Sequence, residues 1–193
     1  MKRWLTRIAI LAVLIYGGLV VGYNLAIAGD NNTSISPAKS VVAPEPVKKP
    51  INIADIDRQI LLAETNRNRT QNGLSILAEN EKLNASALAK CNDMIARNYW
   101  SHYGPNGDEK PWEFITKAGY SYNKSGENLA YGQENAPDVI NGWMNSPKHR
   151  DNMLKPEFTE VGYGVCLAPN YTPKEDLLHG EKLIIVQHLA KPY

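Results

Sequence analysis

The pattern of apolar positions changes twice along this chain. Ile8 to Ala28 carries no charged side chain and follows a flank with three basic residues, Lys2, Arg3 and Arg7. From Ile53 the apolar spacing becomes helical. Ile56, Ile60 and Ala63 fall on one stripe joined by Leu61 and Leu62, which predicts a helix to Asn72 with Asp55 or Asp57 near its start. Gly73 is the natural stop. A second helix is predicted over 80–98, with Leu83, Ala87, Leu88, Cys91, Met94 and Ile95 facing inward. A short third helix opens at Pro111 and ends at Gly119. A fourth opens at Ala136-Pro137, carries Val139, Ile140 and Trp143, and ends at Ser146-Pro147. The last third has strand character at Glu160–Leu167 and Lys182–Ala190, with a further short strand over Leu129–Gly132. Helices first and strands later predict an α+β fold, with helices packed on a central antiparallel sheet.

The N-terminal pattern divides the chain. Residues 1–28 read as a targeting element. One reading is a signal peptide cleaved after Ala28, because Ala26-Ile27-Ala28 has the small-x-small form of a cleavage site. The other is an uncleaved membrane anchor, because about 20 apolar residues span a hydrocarbon core. The apolar run is long for a signal core of about 7–15 residues, which favours the anchor. Both readings carry the rest of the chain out of the cytoplasm, since the basic flank stays inside. Residues 29–52 are rich in Pro, Ser, Asn and Lys and lack aromatics, which predicts a disordered linker. The remainder, 53–193, is long enough for one domain.

Charge narrows the partners. The 21 Lys and Arg nearly balance the 20 Asp and Glu, but six of the basic and only two of the acidic residues lie in 1–50. The domain is therefore mildly acidic, which argues against nucleic-acid binding. Cys91 and Cys166 are the two cysteines. An oxidising compartment favours a disulfide between them, and two separately buried thiols are the alternative.

Candidate chemistry centres on His102 in NYWSHYGPNG, Glu127 in the Gly-rich turn that opens GENLAYG, and His149 in SPKHRDN. Each alone reads as an ordinary surface or structural residue. The intervals of 25 and 22 residues show no local register, and nothing like a helical HExxH pair is present. His188, alternating with Ile184 and Val186, reads as a satisfied, half-buried histidine, and His179 as an exposed loop residue.

These motifs resemble the CAP superfamily, the SCP-like extracellular domain, and especially its compact bacterial members. The resemblance rests on the SH pair, GEN, Trp143, HRxN, Phe158 and GYG, with Gly162 thirteen residues after His149. It implies an α-β-α sandwich and a cleft where His102, Glu127 and His149 converge, making them the candidate catalytic residues. It also implies a divalent-metal site, such as zinc, at His102 and His149. Many eukaryotic members carry a second glutamate on the helix that here reads Trp143-Met144-Asn145-Ser146, so the expected tetrad is a triad. That removes the second carboxylate of an acid–base pair. No G-x-S-x-G nucleophile elbow occurs. The expectation is an extracytoplasmic binding module for an envelope lipid, glycan or peptide. A metal- or Glu127-assisted hydrolase and a purely structural envelope domain are the alternatives.

Overall fold

The computed structural model describes residues 56–107, 109–169, Tyr171 and 182–193, together with the backbone of two short strands near the N-terminus. Those strands, β1 (Ile15–Tyr16) and β2 (Leu19–Val20), form an antiparallel ladder within a unit of their own, Met1–Pro46. At these four positions the backbone is extended rather than helical. The rest of the expected targeting element, the linker and His179 lie outside the described residues. Among the described residues no helix is long and apolar enough to cross a membrane.

The second unit contains helices α1 (Arg58–Gln71), α2 (Glu81–Ala96), α3 (Pro111–Lys117), α4 (Ala136–Asn145) and α5 (Pro147–Met153). Its sheet has the order β3 (Ala78–Glu79), β5 (Glu160–Ala168), β6 (Lys182–Pro192), β4 (Tyr122–Tyr131). The β5–β6 and β6–β4 pairs are antiparallel, whereas the two-residue edge strand β3 runs parallel to β5. The architecture is the α+β sandwich the pattern predicted, with that parallel edge added.

Central strand β6 sorts the core into two layers because its side chains alternate between faces. Leu183, Ile185 and Leu189 pack with Leu61 of α1, Val139, Ile140 and Trp143 of α4, and Met153 of α5. Ile184 and Val186 pack with Ala87, Cys91 and Met94 of α2. Cys91 and Cys166 form a disulfide with Cα atoms 6.2 Å apart, joining α2 to β5 across that second layer.

Three expectations change. In α1 the buried stripe is Leu61, Thr65 and Arg69, while Ile60 is exposed. The polar members are satisfied internally: Arg69 donates to the carbonyls of Ser75, Met153, Lys155 and Phe158 at 2.8–3.2 Å. In α2, Leu88 is exposed and Lys90 is buried. The third change matters most. The segment 122–131 is a ten-residue strand, not a turn followed by a short strand. YNKSGENLAY has no β-branched residue, and pairing with β6 along its length overrides the weak local propensity.

Two glycines allow the layers to close. A Cβ on Gly162 would lie 2.2 Å from the Leu83 carbonyl carbon, and one on Gly164 would lie 2.3 Å from that of Ala87. Helix α2 therefore rests directly on the backbone of β5. Tyr163, between them, gives its N–H to Asn84 Oδ1 of α2 at 2.8 Å.

Candidate functional site

Strand register builds the centre of the site. Glu127 of β4 stands opposite His188 of β6, and His188 stands opposite Gly162 of β5. The three form one row on the face covered by α2. Gly162 lets the helix approach, and Ser86 of α2 then reaches His188.

The Glu127 side chain is 4% exposed, and each of its oxygens has an imidazole partner. Oε1 accepts from His102 Nδ1 at 2.7 Å, and Oε2 accepts from His188 Nε2 at 3.0 Å. Burial by itself would push this carboxyl up. The hydrogen bonds from the two imidazoles, with the nearby positive charges of His188 and Lys90, outweigh it and hold the group below the usual carboxylate value. Glu127 is thus an anion at neutral pH, and an anion only accepts. His102 Nδ1 and His188 Nε2 must therefore both carry protons. Behind the row, His188 Nδ1 lies 2.7 Å from Ser86 Oγ, which is 2.8 Å from the Leu83 carbonyl.

His102 lies on the loop after α2, and its side chain is 46% exposed. Lys90 fastens that loop, donating to the His102 carbonyl and to Tyr99 Oη, each at 3.0 Å. Desolvation lowers the Lys90 pKa, and the charges of Glu127, Asp93 and Glu109 oppose that shift. The ring of Tyr99 lies 4.8 Å from the ammonium, a cation–π contact.

His149 stands on α5. Asn128, the residue after Glu127, donates to the His149 carbonyl at 3.1 Å and to Gln187 Oε1 at 2.9 Å. Asn152 completes the clamp by donating to the Glu127 carbonyl at 3.1 Å and to Asn128 Oδ1 at 3.0 Å. Burial lowers the His149 pKa, and the nearby charge of His102 lowers it further. Both influences favour a neutral ring. Landmark residues have plain packing reasons as well. Trp143 Nε1 donates to the Leu129 carbonyl at 2.9 Å, and a Cβ on Gly126 would meet Asn152 and the Phe158 ring at 3.1 Å.

The structure therefore brings His102 into contact with Glu127 and seats the backbone of His149 beside the same strand. It also adds residues the sequence pattern passed over. His188, read as a structural histidine, is completely buried and is the second partner of Glu127. Ser86 and Lys90 lie on the buried face of α2 with Leu83 and Met94. Their helical spacing was the available signal, and it was hidden because both are polar. Beside the His102 loop lies an open concavity of about 830 Å³, whose walls include Tyr99, Trp100, Ser101, Tyr103 and Pro105 but not His102. Among the described residues no group of three or more His, Cys, Asp or Glu side chains is arranged to hold a metal ion.

The chain belongs to CAP, the cysteine-rich secretory protein family, whose model matches residues 62–183. It is similar to YkwD of Bacillus subtilis, with 35% identity over 72% of this chain and 53% of that protein. It is also similar to the membrane protein YlbC of the same organism, with 31% identity over 54% of this chain and 30% of that protein. The chain thus spans about half or less of these relatives. Two solved structures share the fold. One is an extracellular protein with an SCP domain from Bacillus anthracis, with TM-score 0.57, 24% identity, and coverage of 69% of this chain and 40% of that one. The other is an outer surface protein of Borrelia burgdorferi, with TM-score 0.59, 23% identity, and coverage of 70% of this chain and 92% of that one.

Proposed function

We propose that this CAP domain works outside the cytoplasm as a binding module of the cell envelope. Its His102–Glu127–His149 cleft would take a divalent cation or a small polar ligand. The extracellular and outer-surface descriptions of the two structural neighbours, and the membrane description of YlbC, support that location. The observation that carries the binding reading is the state of Glu127. Each oxygen accepts a hydrogen bond from an imidazole and the side chain is only 4% exposed, so burial keeps the carboxylate away from a substrate or an attacking water. What it can do is orient His102.

With Nδ1–H on Glu127, the His102 lone pair that a ligand would use lies at Nε2. A carboxylate behind a ligating histidine is a recurrent way to fix ring orientation and raise ligand basicity. His149 is biased toward the neutral form that ligation also needs. The donor set thus fits a divalent metal such as Zn²⁺, held by His102 and His149. Such a cation would supply Lewis acidity or simply bridge to an anionic group of an envelope lipid, glycan or peptide. Two protein ligands make a weaker site than the three usual in catalytic zinc centres, so affinity in the micromolar range or weaker is expected.

The test is a calorimetric zinc titration of the wild-type chain and of the His102→Ala and His149→Ala variants. Saturable 1:1 binding that disappears in each variant supports the reading. Absence of heat in the wild type removes the metal from it. Hydrolysis of a peptide or ester library that vanishes in Glu127→Gln would replace binding with catalysis.

A further inference from the structure

We propose that His188 is a positioning residue for His102. By occupying Glu127 Oε2 in the core, it fixes the carboxylate so that Oε1 holds His102 Nδ1–H and the bare Nε2 faces outward. The proposal deepens the metal-binding reading above and rests on it for its purpose, but not for its geometry.

The geometry is a continuous chain from the core to the surface. The Leu83 carbonyl and Ser86 Oγ are 2.8 Å apart, Ser86 Oγ and His188 Nδ1 2.7 Å, His188 Nε2 and Glu127 Oε2 3.0 Å, and Glu127 Oε1 and His102 Nδ1 2.7 Å. Exposure rises along it in the same order: His188 side chain 0%, Glu127 4%, His102 46%. The inner members cannot move independently. His188 and Glu127 are cross-strand partners, and Ser86 is fixed by its own helix where α2 meets β5 at Gly162.

The anionic Glu127 sets the direction of the chain, whichever way the serine proton points. Ser86 has one hydroxyl proton. If it goes to the Leu83 carbonyl, His188 Nδ1–H donates to Ser86 Oγ. If it goes to His188 Nδ1, that nitrogen accepts. Because the Glu127 anion only accepts, Nε2–H points at it in both arrangements, the ring carrying both protons in the first and one in the second. The carboxylate therefore always finds its inner donor, and its outer oxygen is left to a single imidazole. A histidine on an exposed loop with no such partner favours the other neutral tautomer, with the proton on Nε2, where it would block a ligand. The cost of burying an acid is thus offset by a histidine that never meets the cleft, and the result is the tautomer of one that does.

The experiment reads the tautomer directly, by ¹⁵N–¹H imidazole correlation spectra of the metal-free full-length chain, followed by zinc titration. Two amide variants of equal chemistry and different reach are compared. His188→Gln is long enough for its amide nitrogen to replace Nε2, and His188→Asn is too short. Expected for the wild type and His188→Gln is a pyrrole-like Nδ1 and a pyridine-like Nε2 at His102. In His188→Asn the pattern moves toward the opposite tautomer, and zinc affinity falls about tenfold or more, as for other partners behind a metal ligand. A merely structural role would lower the melting temperature of His188→Asn and leave the His102 pattern alone, and that result overturns the proposal. Should His188→Asn fail to fold, His188→Met decides. It removes the donor to Glu127 Oε2 while filling the same volume, and an unchanged His102 pattern there refutes the idea. If the tautomer follows His188 while no form binds zinc, the metal reading fails and the positioning role stands. If zinc binds the wild type and both variants alike with His102 unchanged, the reverse holds.

Discussion

Substituting Gly162 by Ala adds a single methyl group, and the structure makes that addition severe. The new Cβ would lie 2.2 Å from the Leu83 carbonyl carbon and 2.3 Å from the Asn84 backbone nitrogen. These are helix backbone atoms, so no side-chain rotation relieves the contact. Helix α2 has to retreat by more than an ångström to restore van der Waals separation. Overpacking of this kind costs about 1–3 kcal/mol. Retreat also stretches the 2.8 Å bond from Tyr163 N–H to Asn84 Oδ1, and a buried donor left without a partner costs about 1–3 kcal/mol more. A total of about 3 kcal/mol corresponds to a fall of about 6–12 °C in Tm for a domain of this size. Gly142 is the internal control. It is exposed in α4, and a Cβ there meets nothing within 4 Å. Gly142→Ala should stabilise by about 0.5–1 kcal/mol through helix propensity. Thermal and urea unfolding of both variants checks the pair. A Gly162→Ala melt within a degree or two of wild type would refute the claim that the glycine is required by helix–strand contact, as would an equal loss in Gly142→Ala.

Further outcomes follow from the same coordinates. Arg69→Lys should cost about 3 kcal/mol in urea unfolding, because an ammonium cannot span the four carbonyls that the guanidinium bridges between α1 and the α5–β5 connection. Replacing Cys91 and Cys166 together by Ala opens a bridge with a sequence separation of 75, for which chain entropy alone gives about 4.5 kcal/mol as an upper bound. A double variant as stable as the oxidised wild type would contradict this. Acidification should destabilise the domain in two phases. The His149 pKa is lowered by burial, so the unfolded chain takes up that proton first, and stability present above about pH 6.5 is lost as pH falls toward the folded value. Glu127 is also depressed by folding, so its contribution persists to about pH 4.5 and is lost below, as pH falls through its folded value. His149→Gln should remove the first phase only, read by urea midpoints between pH 7.5 and 3.5.

Some of this was legible in the chain, for reasons that show where sequence reading stops. Gly73, Gly119 and the Ser146-Pro147 break end helices as expected, because turn geometry is local: both glycines have φ near +75°. The strands Glu160–Ala168 and Lys182–Pro192 declare themselves through β-branched and aromatic runs. Buried polar positions do not declare themselves. Thr65, Arg69, Ser86, Lys90 and His188 occupy core positions at the correct periods, yet each reads as a break in an apolar stripe. The carbonyls, hydroxyls and carboxylates that satisfy them come from distant segments, and pattern analysis cannot see those partners. Glu127 reads as a turn residue for the related reason that its strand is specified by β6 and not by its own residues.

The difference between turn and strand bears on function. A glutamate in a solvated turn could accept a proton from water or reach into a substrate. In the middle of a strand, under α2 and between two imidazoles, its side chain is 4% exposed and meets neither directly. What Glu127 presents toward solvent is the half-exposed ring of His102, on the loop that also walls the aromatic concavity. The buried row of glutamate, histidine and serine is bound to the fold itself through strand register and the helix contact at Gly162. The loop that carries His102 is held by the Lys90 ammonium on the His102 carbonyl and on Tyr99 Oη, and by the Glu127 carboxylate on the His102 ring. Variation in the loop's own residues, Trp100, Tyr103 and Pro105 among them, therefore reshapes the concavity without touching the buried bonds of Glu127, His188 and Ser86.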